Sequence, residues 1–280
     1  MIEPISVLGF GYVAPYARLT DVPTGVEAPL PKLDLALLER TLRRGLSEVT
    51  RLFMHAAKLA LSDASFDAAT QPELVHVIFA SAFGEIGTAE ALFAEAYETD
   101  GSSPARFRNS VHNTAPGLFS ISNKNHLPST AIAAGWDTVA MGLCEAAAQL
   151  QSEGGRVLLV FAEERVPLAL SSEHSHGPLA AAFVLARGSE TPAACGSLSQ
   201  LRREPRSRSA YDAIDPKDHP LAPVLQLVRM LEEHAAGTLR VGDGETPWCI
   251  DVDARASTRE RNVETHPDRG ESERAERDPA

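Results

Sequence analysis

Acyl-transfer and hydrolytic chemistry need a nucleophile, a base to activate it and donors for the charge that develops. Few residues of this chain are spaced for that. Ser110 and His112 stand two residues apart, and Ser129 is a second serine within reach of the same imidazole in principle. Either pair could serve a thioester hydrolase or acyltransferase, although the spacing alone fixes no contact. Cys144, Cys195 and Cys249 are far apart, with neither a disulfide framework nor paired metal-ligand spacing. Glu173 and His174-Ser175-His176 offer at most three donors, in a stretch that reads as a solvated loop. No metal and no other cofactor is expected. Gly9-Phe10-Gly11 lacks the third glycine of a dinucleotide turn. Glu163-Glu164 ends an apolar run, where α/β sheets place functional groups; without a partner in sequence it reads as a cap or a solvated pair. Arg202, Arg203, Arg206 and Arg208 form a local basic patch suited either to an acidic docking protein or to a solvated linker.

The elements that would carry these residues follow from periodicity. Ile5 to Val13 reads as a strand running into a proline-rich loop over 14–33. Val49, Leu52, Phe53, Ala56, Leu59, Ala60 and Ala64 fall at helical spacing, with Ser47 as N-cap. Leu74 to Ala80 is a buried strand, Thr88 to Tyr97 a helix stopped by Gly101-Ser102-Ser103-Pro104, and Pro116 to Lys124 a short helix. Pro128 to Ala133 is a strand, and Trp136 to Gln151 a helix ended by Gly154-Gly155. Arg156 to Ala162 and Leu179 to Ala186 are buried strands with no helix-length segment between them, so they can run antiparallel. Leu201 to Ser209 reads as a linker, Leu221 to His234 as a helix, and Thr238–Val241 with Trp248–Val252 as a hairpin turned at Gly242-Asp243-Gly244. Alternating strands and helices predict an α/β fold with a mixed, mostly parallel five-stranded sheet, helices on both faces, and a C-terminal helix and hairpin.

Composition narrows the class. At 280 residues, 44% hydrophobic and 23% charged, the chain is long enough for one large core. A net charge of −12 argues against nucleic acid as a main partner. No run reaches the roughly 18 apolar residues of a membrane span. The start MIEPISVLGFGYV has no basic region followed by a long apolar run. Scattered thiols and no leader make the cytoplasm the expected compartment. Residues 254–280 hold too few apolar side chains to offset ordering, so a folded unit over 1–253 and a disordered tail over 254–280 are expected.

Several segments, in order, resemble the N-terminal half of a β-ketoacyl synthase, a thiolase-like fold. Arg43-Arg44-Gly45-Leu46-Ser47 with Arg51 through Asp63-Ala64 looks like that family's first helix entry. Phe79 to Glu85 is similar to its strand-to-turn segment, and Pro104 to Gly117 to its "SP-x-x-F…SVHN-x-x-AG" stretch. Ser129-Thr130-Ala131-Ile132-Ala133-Ala134-Gly135 resembles its "TACASG" turn, and Val157 to Glu164 the strand that follows. The resemblance covers 1–190, with a weaker match at 219–253.

In that pattern Ile132 stands where the catalytic cysteine would be. A register shift puts Ala134 or Gly135 there, and neither is a nucleophile. Cys144 lies two turns into the helix, beyond the N-terminal field that lowers a thiol pKa, and reads as a structural thiol. The family's later histidine motifs have no counterpart. The resemblance therefore implies a half-thiolase fold with no catalytic residue, of the short chain-length-factor type found with aryl polyene and fatty-acid-like synthesis. It implies a heterodimer with an active ketosynthase, through Ser129, Thr130, Ala131, Ile132 and Ala133. It also implies an acyl tunnel lined by Phe83, His112, Asn113, Ile132, Trp136 and Met141, and an acyl carrier protein as a further partner. The stand-alone serine enzyme using Ser110 or Ser129 with His112 is the alternative.

Overall fold

The structure is a computed structural model of the chain that describes residues 3–14, 32–66, 75–99, 101, 103–167, 169–170, 176–188, 194–205 and 219–254. Eight strands form one sheet: β1 (Ile5–Val13), β2 (Val75–Ala80), β3 (Ser129–Ile132), β4 (Arg156–Glu163), β5 (Leu179–Arg187), β6 (Gly196–Arg203), β7 (Ala236–Arg240) and β8 (Trp248–Ala254). Their spatial order is β3-β2-β4-β5-β1-β6-β8-β7. Among the described residues β2 with β3 and β2 with β4 pair in parallel, and the other five pairings are antiparallel. The α/β class agrees with the sequence reading, but the sheet has more strands and a more antiparallel character than expected.

Helices cover both faces. They are α1 (Glu48–Asp63), α2 (Ile86–Thr99), α3 (Pro104–Arg108), α4 (Thr114–Asn123), α5 (Thr138–Ser152) and α6 (Ala222–Glu232). α5 and α6 share one core with Ile78, Leu159, Phe161, Phe183 and Leu185. α1 and α4 share the other with Val77, Phe79, Leu158, Val160 and Val184. Neighbouring residues of a strand thus serve opposite cores, which is why β2 and β4 read as continuous apolar runs. Edge-to-face rings tie each core: Phe53 to Phe79 at 5.4 Å, and Phe161 to Phe183 at 6.3 Å.

Local chemistry sets the element ends. Ser47 caps α1, its Oγ accepting from the Thr50 amide at 3.1 Å. Ser103 and Pro104 start α3, a helix the sequence reading replaced with a break. α5 begins at Thr138, two residues later than the periodicity predicts, after a 3-10 turn at Gly135–Asp137. β6 occupies the first part of the expected Leu201–Ser209 linker. Its inner half is buried, and its outward arginines hid it from a hydrophobicity reading. Ala254, expected to open the tail, is buried as the last residue of β8; Leu74, Glu173, His174, Arg206, Arg208 and residues 255–280 lie outside the described residues.

Gly9 and Gly11 have a structural use. A Cβ at Gly9 would lie 2.3 Å from the Ala64 amide nitrogen, and one at Gly11 would lie 2.2 Å from Leu59 Cβ. They let β1 approach α1, which accounts for the pair without a nucleotide. Gly9→Ala is expected to destabilise the fold by about 1–3 kcal/mol through overpacking. A shifted denaturant midpoint at unchanged m-value checks this; an unshifted midpoint would mean that α1 moves away freely.

Candidate functional site

The parallel strands β2, β3 and β4 end together, and the residues with chemical potential gather at those ends. β2 exits into Ser81–Glu85, where the Ser81 amide donates to the Ile132 carbonyl at 3.0 Å. Ile132 is thereby fixed as the last residue of β3, half-buried against the α5–α6 core. The next turn is held by Thr138, whose Oγ1 accepts from the Ala134 amide at 3.0 Å and donates to the Gly135 carbonyl at 2.7 Å. Gly135 takes the left-handed φ of +55° that this turn requires.

The other candidates fall around the turn as follows. Phe83 is half-buried at the β2 exit, its ring 5.6 Å from that of His176. His112 lies against Gly84, where a Cβ would come within 2.4 Å of the imidazole, and faces the Ser81 carbonyl at 3.4 Å. Trp136 sits half-buried in the 3-10 turn, and Met141, one turn into α5, packs on the same core as Ile132. Asn113 is exposed at the start of α4. Phe83, His112 and Ile132 are thus joined through Ser81–Gly84, Trp136 and Met141 follow along α5, and Asn113 points to solvent.

β3 is an edge of the sheet, paired on one side only among the described residues. Ser129 and Ala133 are exposed; Thr130, Ala131 and Ile132 are half-buried. Thr130 Oγ1 accepts from Gln149 Nε2 at 3.2 Å, across to α5. Ser110 Oγ donates to the Phe107 carbonyl at 2.8 Å, so the serine is engaged with its own helix rather than with an imidazole.

No thiolate is poised here. Burial pushes the Cys144 thiol up, Cys195 is buried and donates to the Val7 carbonyl, and Cys249 is buried. Among the described residues no group of three potential metal ligands exists.

Three features escaped the sequence. His176, read as part of a solvated loop, is 5% exposed and its ring lies 4.3 Å from that of His219. His219 Nδ1 accepts from the Leu221 amide at 2.9 Å, and its Nε2 donates to the Gly177 carbonyl at 3.1 Å. Burial, together with His176, holds its pKa well below the ordinary imidazole range. Both ring nitrogens are used, so His219 is a neutral latch between β5 and α6. Arg202 is engaged with Glu204 and Asp251, and Arg203 reaches Asp137 at 3.7 Å while stacking on Trp248. Half of the expected basic patch is therefore internally paired.

The third is a buried carboxyl cluster. Glu163, fully buried, accepts from the amides of Ala82 and Phe83 and so fixes the β2 exit. Glu164 accepts from the Val49 amide at 3.2 Å and the Gly87 amide at 2.7 Å, which places one carboxyl on the first turns of both α1 and α2. Glu85 accepts from Thr50 Oγ1 at 2.7 Å. The sequence reading allowed a cap or a solvated pair, and the cap is what forms. A paired acidic end on a strand was its only signal.

Burial pushes Glu163 up to about 8 and Glu164 up to about 7, against the amides that favour ionisation. In the unfolded chain both ionise near 4.5, so between about pH 4.5 and 8 the folded state holds protons that the unfolded state has released. Unfolding free energy therefore falls as pH rises through that window. Glu163→Gln should make the slope between about pH 5 and 7 shallower by about 1.4 kcal/mol per pH unit. Chemical denaturation at several pH values checks it; identical slopes would mean that Glu163 is ionised in the fold.

The sequence profile described as Beta-ketoacyl synthase, N-terminal domain, matches residues 17–249. A comparison with curated protein sequences gives no match. Solved structures with the same fold include the ketosynthase ApeO in complex with its chain length factor ApeC from Xenorhabdus doucetiae. That match has a TM-score of 0.65 and 21% identity over 88% of this chain and 98% of that one. The ishigamide ketosynthase/chain length factor aligns with a TM-score of 0.58 and 16% identity, over 82% of this chain and 74% of that one. AntDE:AntF, a type II PKS acyl-carrier protein in complex with its ketosynthase bound to the hexaketide, gives a TM-score of 0.58 and 16% identity, over 74% and 70%. No described helix is long and apolar enough to cross a membrane.

Proposed function

The chain belongs to the β-ketoacyl synthase N-terminal domain family, and we propose that it is a catalytically inactive chain-length-factor subunit. In this reading it pairs with an active ketosynthase in fatty-acid-like or aryl-polyene-type synthesis. The observation that carries it is Ile132. An aliphatic side chain ends β3, at the head of the turn leading to α5, where the family pattern places a cysteine. A sec-butyl side chain cannot form or pass on a thioester. Cys144 cannot stand in for it, since its thiol is shifted up and it sits well inside α5.

What remains around Ile132 suits an interface. Among the described residues β3 is paired on one side only, and a strand from a same-fold partner can continue the sheet through Ser129–Ala133. The ketosynthase supplies the cysteine and the histidines, and an acyl carrier protein delivers the growing chain. Phe83, Trp136 and Met141, with His112 and Ile132, are the residues assigned to the wall at the end of the acyl tunnel.

Co-expression with the ketosynthase of the same biosynthetic locus tests the reading. A one-to-one complex by light scattering, and a product that disappears when this chain is omitted, are expected. A ketosynthase that works unchanged without it would remove the proposal. Within the complex, Phe83→Ala and Met141→Ala should shift the product distribution toward longer acyl chains by mass spectrometry. An unchanged distribution would take these side chains out of the tunnel.

A further inference from the structure

α6 has no capping side chain at Leu221, the residue that precedes it. Its start is held instead by His219, whose Nδ1 accepts from the Leu221 amide at 2.9 Å. The same ring donates through Nε2 to the Gly177 carbonyl at 3.1 Å, and His176 Nδ1 faces that carbonyl at 3.4 Å. Two imidazoles with centroids 4.3 Å apart thus converge on one carbonyl and one helix start. The arrangement requires a neutral His219. An imidazolium carries a proton on both ring nitrogens and accepts no hydrogen bond. Protonation therefore sets an Nδ1–H against the Leu221 N–H. It also adds positive charge at a helix start, the end that the helix dipole already makes positive.

The groups packed around the ring favour the neutral form. Burial, and after it His176, hold the His219 pKa well below the ordinary imidazole range, and His176 becomes a second cation in acid. α6 has no acidic residue in its first turn, and Arg229, in its last, pairs with Glu233. On β4, Glu163 stands in register with Leu179, just past Gly177, and its carboxyl is taken up by the Ala82 and Phe83 amides. From the β2 exit, the ring of Phe83 lies 5.6 Å from that of His176.

Acid acts on the carboxyls and on the imidazoles in opposite senses. Glu163 and Glu164 hold protons in the fold, so their contribution to stability grows as pH falls from about 8 to about 4.5. His219 is held neutral, so its contribution is complete above the ordinary value of 6.5 and is lost as pH falls below it. The contact at the start of α6 thus weakens in a window where the end of β4 is strengthened. We propose that His176 and His219 form an acid-operated latch. Proton uptake by the pair releases the Leu221 amide and the Gly177 carbonyl, and opens the start of α6 beside Phe83 while the sheet stays closed. The latch is independent of the chain-length-factor reading.

Hydrogen exchange of the full chain, corrected for the pH dependence of chemical exchange, reads the latch. Protection in 219–225 should fall about tenfold between about pH 7.5 and 5.5, the change that one proton produces when the open state titrates at 6.5. Protection in 156–163 should not fall. His219→Asn keeps a side-chain acceptor for the Leu221 amide and does not titrate, so its protection should be the same at both pH values. Unchanged protection in the wild type overturns the latch. An equal loss in the asparagine variant assigns the proton to another group and overturns it, and an equal loss in 156–163 does so by showing general unfolding. If asparagine does not hold the helix start at neutral pH, the ring nitrogen shifts of His219 decide. A ring that becomes doubly protonated as protection is lost supports the latch. A ring that stays neutral through that loss, or that titrates at or above 6.5 with α6 still protected, overturns it.

Discussion

Two adjacent carboxyls at the end of β4, Glu163 and Glu164, hold three separate pieces of the chain in register. One receives the amides of the β2 exit; the other receives the first-turn amides of α1 and α2. A strand sends neighbouring side chains to opposite sides, so two consecutive acids can serve two different junctions. Their burial is unfavourable for the charged form, and the orphan amides at helix starts and in the turn offset part of that. These bonds hold the backbone of Ala82 and Phe83 at the β2 exit and the first turns of α1 and α2.

The same geometry bears on the proposal that this chain keeps a nucleophile turn without a nucleophile. The turn from Ile132 to Thr138 is held by Thr138 Oγ1 and by the left-handed Gly135, and neither interaction involves the residue at position 132. Its shape therefore does not depend on which side chain stands at 132. An isoleucine there adds to the α5–α6 core, which a polar cysteine thiolate would not. On this view the change at 132 exchanges reactivity for packing, while β3 beside it keeps one side unpaired among the described residues.

Much of the fold was legible because both faces of β2, β4 and β5 are buried and read as continuous apolar runs, and because Ser47 and Gly154-Gly155 punctuate their helices clearly. β6 was not legible. Its outer half carries Arg202 and Arg203, whose partners Asp251 and Asp137 lie far along the sequence. α3 was missed because proline was read as a stop, although Ser103-Pro104 is also a helix start. The turn around Ile132 could be placed from Thr130, Ala131 and Gly135. The His176–His219 pair could not, since what joins these residues is their packing and a carbonyl at Gly177, which no local pattern encodes. Nor could the exposure of Phe93 and Tyr97 on α2, whose alanines and aromatics read as an amphipathic helix.

The central claim is that the acyl group never rests on this chain. The direct measurement is intact-protein mass after the reconstituted pair is charged from an acylated carrier protein and quenched before condensation. The account predicts an acyl increment on the ketosynthase and none on this chain. An increment on this chain, retained when Ser110 and Ser129 are intact and lost when one of them is replaced by alanine, would contradict it and make the protein an acyl-transfer enzyme in its own right.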